Sequence, residues 1–408
     1  MVLPELLAPA GSIQCAESAF DHGADAVYVG VGRFNLRAHS PGFTNEDFKA
    51  LLEYSKDRGK RVYAALNIMP DDQLLEQISE QLLQLRNLDA LPNSFIVSDP
   101  GVIAVCNRLV PEVKLHLSTQ TGCFNSESLS FWKTQGIKRV VLPRELSLRD
   151  IKTLSHREIL ETEVFVHGAM CVSISGRCLL GAYVSRRHPN LGDCPQPCRY
   201  KYKIIPMEGP EPEKLSFIAE ESKEGVYLLN SKDLCAIELI PQLVASGVSS
   251  LKIEGRNKSA HYVATVVKVY REALDRYKDE GENFKTDTQW ITALKSIEHR
   301  TYTTGFYEQN QMKQEVFNSK AQAGYRLIAT VKEIHEGVAV ADVKNSFDCG
   351  SNVNILPVQH KLAPYEVKIE NLTDLNGNTI TRAPTNRLVK ISITGTRLRP
   401  GDMLRIKL

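Results

Sequence analysis

The chain has 408 residues and a mass of 45.6 kDa, too much for one average domain and too little for three. Hydrophobic residues make up 42% and charged residues 24%, which excludes disordered and fibrous classes. Fifty basic residues against 48 acidic ones give a formal charge of +2, so the protein does not coat nucleic acid by charge alone, and any such contact falls to local patches.

Short apolar segments alternate with amphipathic helical stretches from the start of the chain. The candidate strands are 5–9, 26–29, 62–68, 94–97, 114–118, 139–142, 163–167 and 250–253, with helices at 13–22, 45–57, 71–86, 125–134, 147–154 and 259–277. Near-continuous apolar strands joined by crossover helices predict a parallel sheet covered on both faces. Eight of them predict a closed (β/α)8 TIM-like barrel. The barrel domain spans 1–324, with a cysteine-rich insertion at 168–249 on its catalytic rim. From 325 to 408 short β-rich segments at 327–331, 337–343, 352–356, 365–369, 389–393 and 403–406, separated by Gly, Asn and Asp turns, predict a small C-terminal all-β barrel. No stretch approaches the roughly 20 apolar residues of a membrane helix. The opening Met1-Val-Leu-Pro-Glu5 has neither a basic region nor an apolar core, so the expected location is cytoplasmic.

Nine cysteines in such a chain read as metal ligands or redox groups. Cys171, Cys178, Cys194 and Cys198 form Cys-x6-Cys-x15-Cys-x3-Cys. Four soft thiolates select an iron–sulfur cluster or zinc. Paired zinc knuckles use Cys-x2-Cys twice, a spacing absent here, and the prolines of Asp193-Cys194-Pro195-Gln196-Pro197-Cys198 stiffen a tight ligand loop. Cys235 is an alternative ligand, although its apolar helical context favours a core residue, as isolation does for Cys15, Cys106, Cys123 and Cys349.

Three strand ends carry polar groups to the predicted rim: Arg144-Glu145, His167-Gly168 and Glu254-Gly255-Arg256. The planar forks of Arg144, Arg177 and Arg256 suit a carboxylate or phosphate; the alternative is rim ion pairs, Arg144 with Glu145 and Glu254 with Arg256. His167 can move protons or serve as a hydrogen-bonded structural residue. Asn67, Asp99, Ser118 and Gln120 are candidates by position only. Arg186-Arg187-His188 and Arg199-Tyr200-Lys201-Tyr202-Lys203 bracket the second cysteine pair and suit a phosphate backbone with stacked bases, or else a solvated basic surface. Gly30-Val31-Gly32 lacks the third glycine of a dinucleotide fingerprint, and neither His-Glu-x-x-His nor Gly-x-Ser-x-Gly occurs.

Glu163-Val-Phe-Val-His-Gly-Ala-Met-Cys171-Val-Ser-Ile-Ser-Gly-Arg-Cys178 resembles the signature of peptidase family U32, the collagenase-like proteins. Glu5-Leu-Leu-Ala-Pro-Ala-Gly11, His22-Gly-Ala-Asp-Ala-Val-Tyr-Val-Gly30 and Ser250-Leu-Lys-Ile-Glu-Gly-Arg256 fit the same family, and the resemblance spans essentially the whole chain. Arg33-Phe-Asn-Leu-Arg37, Pro143-Arg-Glu-Leu-Ser147 and Asn230-Ser-Lys-Asp233 are similar to its tRNA-modifying branch. That resemblance implies oxygen-independent hydroxylation of carbon 5 of the wobble uridine in the tRNA anticodon loop, dependent on prephenate and on an iron–sulfur cluster, of 4Fe–4S type. It implies Cys171, Cys178, Cys194 and Cys198 as cluster ligands. Arg144, Arg177 and Arg256 would then hold the prephenate dicarboxylate, with His167, Arg144 and Glu254 at the chemistry. Cys235 departs from that branch and is similar to a ligand of relatives in ubiquinone synthesis; other relatives hydroxylate ribosomal RNA. The competing expectations are a U32-type protease, a cluster-stabilised RNA-binding protein without chemistry, and an enzyme of quinone synthesis.

Overall fold

The structure, a computed structural model, describes residues 2–36, 42–200, 230–308, 323–335, 337–359, 362, 366–393 and 397–408. The chain divides into two compact units, one of residues 1–13, 25–257 and 300–321, the other of 14–24, 258–299 and 322–408.

The first unit holds a closed parallel barrel. Its strands are β1 (Glu5–Pro9), β2 (Ala26–Gly30), β3 (Arg61–Leu66), β4 (Ser94–Val97), β5 (Lys114–Leu117), β6 (Ile137–Val141) and β7 (Glu161–Ala169). A short β8 (Asp233–Cys235) runs antiparallel to the end of β7, with His167 opposite Cys235. The last barrel strand, β9 (Ser250–Ile253), pairs with both β7 and β1 and closes the ring. A further strand, β10 (Tyr302–Thr303), extends the sheet beyond β8. The eight-stranded barrel expected from the alternation is thus present, and 5–9, 94–97 and 250–253 keep their expected ends.

Helices α2 (Asn45–Lys56), α3 (Asp72–Asn87), α4 (Pro100–Leu109), α5 (Ser126–Thr134), α6 (Leu148–Ser155), α7 (Leu180–Ser185) and α8 (Ile240–Ala245) belong to the same unit, while α1 (Ile13–Asp21) falls in the second. Side chains start most of them. Thr44, Asp71, Asp99, Asn125 and Ser147 each accept a first-turn amide, and Ser147 and Asp150 form a reciprocal capping box. Asp99, a site candidate by position, is therefore a helix cap. Cys235 lies in a strand, not the expected helix; the apolar helical pattern there belongs to α8, which follows it. Part of 168–249 is accordingly barrel structure, since β8 and α8 fall within it.

Barrel interiors are usually filled by branched aliphatics. This one carries a charged layer. Arg139 Nη1 lies 2.6 Å from Glu5 and 3.3 Å from Glu163, Lys252 Nζ lies 2.7 Å from Glu163, and Tyr63 donates to Glu5 at 2.7 Å. Burial pushes the Glu163 carboxyl up, but Lys252 and Arg139 overcome it and hold the pKa down at about 2. Burial also drives His116 down to about 3, so it stays neutral beside these cations.

In the second unit six antiparallel strands close the small barrel in the order β11 (Tyr325–His335), β12 (Val338–Val343), β17 (Leu388–Ile393), β15 (Glu366–Thr373), β14 (Asn352–Leu356) and β18 (Met403–Lys407). A two-stranded ribbon, β13 (Phe347–Asp348) with β16 (Arg382–Ala383), completes it. Its core is aliphatic: Ile328, Val353, Ile369, Leu372, Ile391 and Leu404 are all buried. Alternation of this kind is what a half-buried antiparallel strand requires. The same unit contains α1, α9 (Ala260–Glu280) and α10 (Thr288–Ser296). In α9 the expected face of Val263, Val266, Val267 and Tyr270 is buried, and Lys268 donates to the Val358 carbonyl at 2.9 Å. Arg405 donates to Asn354 Oδ1 at 3.1 Å and lies 3.5 Å from His261 Nε2.

Candidate functional site

A cavity of about 280 Å³ opens where the first unit's barrel strands end. Asn67 follows β3, Ser118 and Gln120 follow β5, Arg144 and Glu145 follow β6, and Glu254 and Arg256 follow β9; all line it. This is the end of a parallel barrel at which loops carry chemistry. Tyr28, Phe165 and Lys252 line it from within the strands.

All four cysteines of the spaced set line this same cavity. Backbone amides already face two of them: Ser173 N lies 3.5 Å from Cys171 Sγ and Leu180 N lies 3.4 Å from Cys178 Sγ. Amide donors of this kind stabilise thiolates and tune iron–sulfur centres. Asn190 holds the Cys178 backbone from both sides, accepting its N–H at 3.3 Å and donating to its carbonyl at 3.2 Å. Burial raises the pKa of Cys198; Arg199 opposes the rise, and Cys171, Cys194 and Cys178 add to it. Among the described residues, no three His, Cys, Asp or Glu side chains are gathered closely enough to hold a metal ion. A tetrahedral zinc ion would need sulfurs about 3.8 Å apart, from Zn–S bonds near 2.3 Å. Four thiols on one cavity, two of them facing backbone amides, are a donor set that an iron–sulfur cluster could use.

Strain concentrates in this segment. Ser175, Arg186 and Gln196 are non-glycine residues at φ 48, 55 and 58. Two glycines admit the rim groups: a Cβ on Gly168 would stand 2.7 Å from the Glu254 carbonyl, and one on Gly30 would stand 2.7 Å from Arg256 Nη1.

The expected residues divide. Arg144 and Arg256 line the cavity, Arg144 stacked with its guanidinium 3.8 Å from the Phe165 ring centre. The proposed pairing of Arg144 with Glu145 does not form: Glu145 Oε1 instead accepts the Ser175 amide at 2.7 Å. Glu254 lines the cavity and accepts the Ala169 amide at 3.4 Å. Arg177 is exposed and outside the cavity lining, although its neighbours Gly176 and Cys178 line it; Arg187 and Arg199 line it as well. His167 is 1% exposed, packs 5.3 Å from the Tyr302 ring and is not among the lining residues. Cys15, Cys106 and Cys123 are buried as expected for core residues, with burial pushing the Cys106 thiol up to about 12. Cys349 is half-buried against the small barrel's core.

Sequence reasoning missed two groups. Lys252 sits inside an apolar strand, where only its charge between Leu251 and Ile253 hinted at a role. Burial lowers its pKa and Glu163 raises it, for a net fall. Asn190 gave no signal at all.

The sequence model of peptidase family U32 matches residues 11–317, and that of the family's C-terminal domain matches 323–405. The chain belongs to peptidase family U32. A tRNA hydroxylation protein of Bacillus subtilis is 34% identical over 98% of this chain and 94% of its own length. An "uncharacterized protease" of Methanocaldococcus jannaschii is 39% identical over 98% of both chains. A 23S rRNA 5-hydroxycytidine synthase of Escherichia coli is 30% identical over 86% of this chain and 52% of its own length. The U32 barrel thus appears among relatives named for RNA hydroxylation and for proteolysis. No helix among the described residues is long and apolar enough to cross a membrane.

Proposed function

We propose that this U32 protein hydroxylates tRNA, adding a hydroxyl to carbon 5 of the wobble uridine in a prephenate-dependent, oxygen-independent reaction. The observation that carries the reading is the convergence of four spaced thiols with several cations on one barrel-end cavity, in a chain whose full-length relative is named for tRNA hydroxylation.

Cys171, Cys178, Cys194 and Cys198 would hold a 4Fe–4S cluster, which supplies Lewis-acidic, redox-active iron when bound. The protein's own residues do the positioning. Arg144, Arg256 and Lys252 put cations on the cavity lining, suited to the two carboxylates of prephenate. The packing of Arg144 on Phe165 fixes one guanidinium plane before any ligand arrives. Glu254, anchored by the Ala169 amide, is the carboxylate placed to handle a proton. His167 acts indirectly: its carbonyl accepts the Glu254 amide at 2.9 Å, which sets the rim turn that carries Glu254 and Arg256. Pyrimidine carbon 5 must leave a base stack to be reached, which an anticodon loop permits at little cost. A proteolytic reading needs a nucleophile with a base beside it. Ser118 and Ser175 line the cavity, but no histidine does among the described residues.

Deleting the gene, growing the strain without oxygen and measuring tRNA nucleosides by mass spectrometry tests this reading. The 5-hydroxyuridine derivatives should vanish and return with the intact gene but not with a Cys171→Ala copy. Unchanged nucleosides in the deletion strain would refute it.

A further inference from the structure

One wall of the cavity, between the ends of β5 and β6, holds polar atoms that the protein leaves bare. Gln120 Nε2, Glu145 Oε2 and Ser175 Oγ are buried without a hydrogen-bond partner among the described residues, and all three residues line the cavity. Gln120 is 1% exposed and Ser175 5%. Burying a polar group without a partner is costly, so three on one cavity point to a ligand that satisfies them.

The fold sets each group's role. Ser118 Oγ accepts the Gln120 backbone N–H at 3.5 Å and donates to Gln120 Oε1 at 3.2 Å, leaving the carboxamide NH2 as the unpaired end. Glu145 spends Oε1 on the Ser175 amide, leaving Oε2 as the open acceptor. The two turns carrying these residues pack together: Ser175 Oγ lies 3.9 Å from where a Cβ on Gly122 would stand. The cavity lining therefore holds an open donor on Gln120 and an open acceptor on Glu145.

We propose that this wall reads the imide edge of a uracil base, with Gln120 Nε2 donating to the 4-oxygen and Glu145 Oε2 accepting the N3 proton. The proposal rests on the uridine reading above and names the residues that select the base. Uracil offers an acceptor next to a donor, complementary to the wall. Cytosine inverts both: its amino group meets the Gln120 donor, and its N3 lone pair meets the Glu145 carboxylate. The Ser175 hydroxyl, donor or acceptor by rotation, adapts to either neighbour. Phe306, half-buried, lines the same cavity and offers a ring against which an extruded base can stack.

The test uses anticodon stem-loop RNAs with uridine, N3-methyluridine or cytidine at the target position, bound to the full-length holoprotein, with products read by mass spectrometry. Wild type should bind the uridine loop about tenfold or more tighter than either other loop. Glu145→Gln should narrow the gap between uridine and cytidine, and Gln120→Glu should weaken uridine binding about tenfold. Equal wild-type affinity for uridine and N3-methyluridine overturns the proposal without relying on any variant's folding. Discrimination without hydroxyuridine would sink the hydroxylation reading and keep the base-reading wall; hydroxylation with equal binding would do the reverse.

Discussion

Among the described residues of 323–408, a single buried side-chain polar atom, Thr330 Oγ1, has no partner, whereas Gln120, Arg144, Glu145 and Ser175 each present one around the cavity of the parallel barrel. The small barrel is closed over aliphatic side chains from Ile328 to Leu404. The larger one fills its interior with Glu5, Arg139, Glu163 and Lys252 and gathers four thiols at its end. One region is built so that little is left for a ligand to satisfy, the other so that much is. Stability arguments suffice for the first; the second makes chemical sense only with something bound.

That contrast can be broken most forcefully at the thiols. Cys178→Ala should abolish hydroxyuridine formation and iron retention together while leaving the thermal transition of the small barrel in place; metal analysis, nucleoside mass spectrometry and calorimetry read the three. Next in size is the interior charge. Glu163→Ala strands Arg139 and Lys252 without their shared partner, and chemical denaturation should report a loss of about 3–5 kcal/mol. Leu404→Ala in the aliphatic core should cost about 2–5 kcal/mol in the same measurement, with turnover per folded molecule unchanged. A variant that instead altered base selection from that position would blur the division.

The smallest expected effect is on acid stability. Burial lowers His22 to about 4 and His261 to about 3, against 6.5 when unfolded. The unfolded chain therefore binds more protons, so their contribution is complete above pH 6.5 and drains away as pH falls toward the folded values. By pH 5 each histidine should have cost about 2 kcal/mol, a loss that His261→Asn should flatten in melting curves taken from pH 7 to 5.

The order of strands was legible because it is written in hydrophobic runs: Leu6-Leu7-Ala8 and Ser94-Phe95-Ile96-Val97 can be buried on both faces only in a covered parallel sheet. The cysteine set was legible because its spacing is local. What sequence hid was direction. Arg177 and Arg187 read alike as basic residues near the cysteines, yet one lies outside the cavity lining while the other is part of it. Asp99 and Gln120 both follow strands; one caps α4, whereas the other sits inside a short 3-10 turn capped by Ser118 and lines the cavity. Lys252 was masked by its apolar neighbours, because its partner Glu163 is 89 positions away in the chain. Cys235 misled for the opposite reason: the helical pattern around it belongs to residues that come after it.

The most direct measurement is a reconstitution without oxygen. The purified protein, loaded with iron and sulfide, would be given prephenate and tRNA from a strain lacking the gene, and the wobble nucleoside would be analysed by mass spectrometry. The account predicts 5-hydroxyuridine with the wild type, none without prephenate, and none with Cys178→Ala. Hydroxyuridine formed equally by the Cys178→Ala protein, or none from a wild type that retains its iron and binds the tRNA, would contradict it.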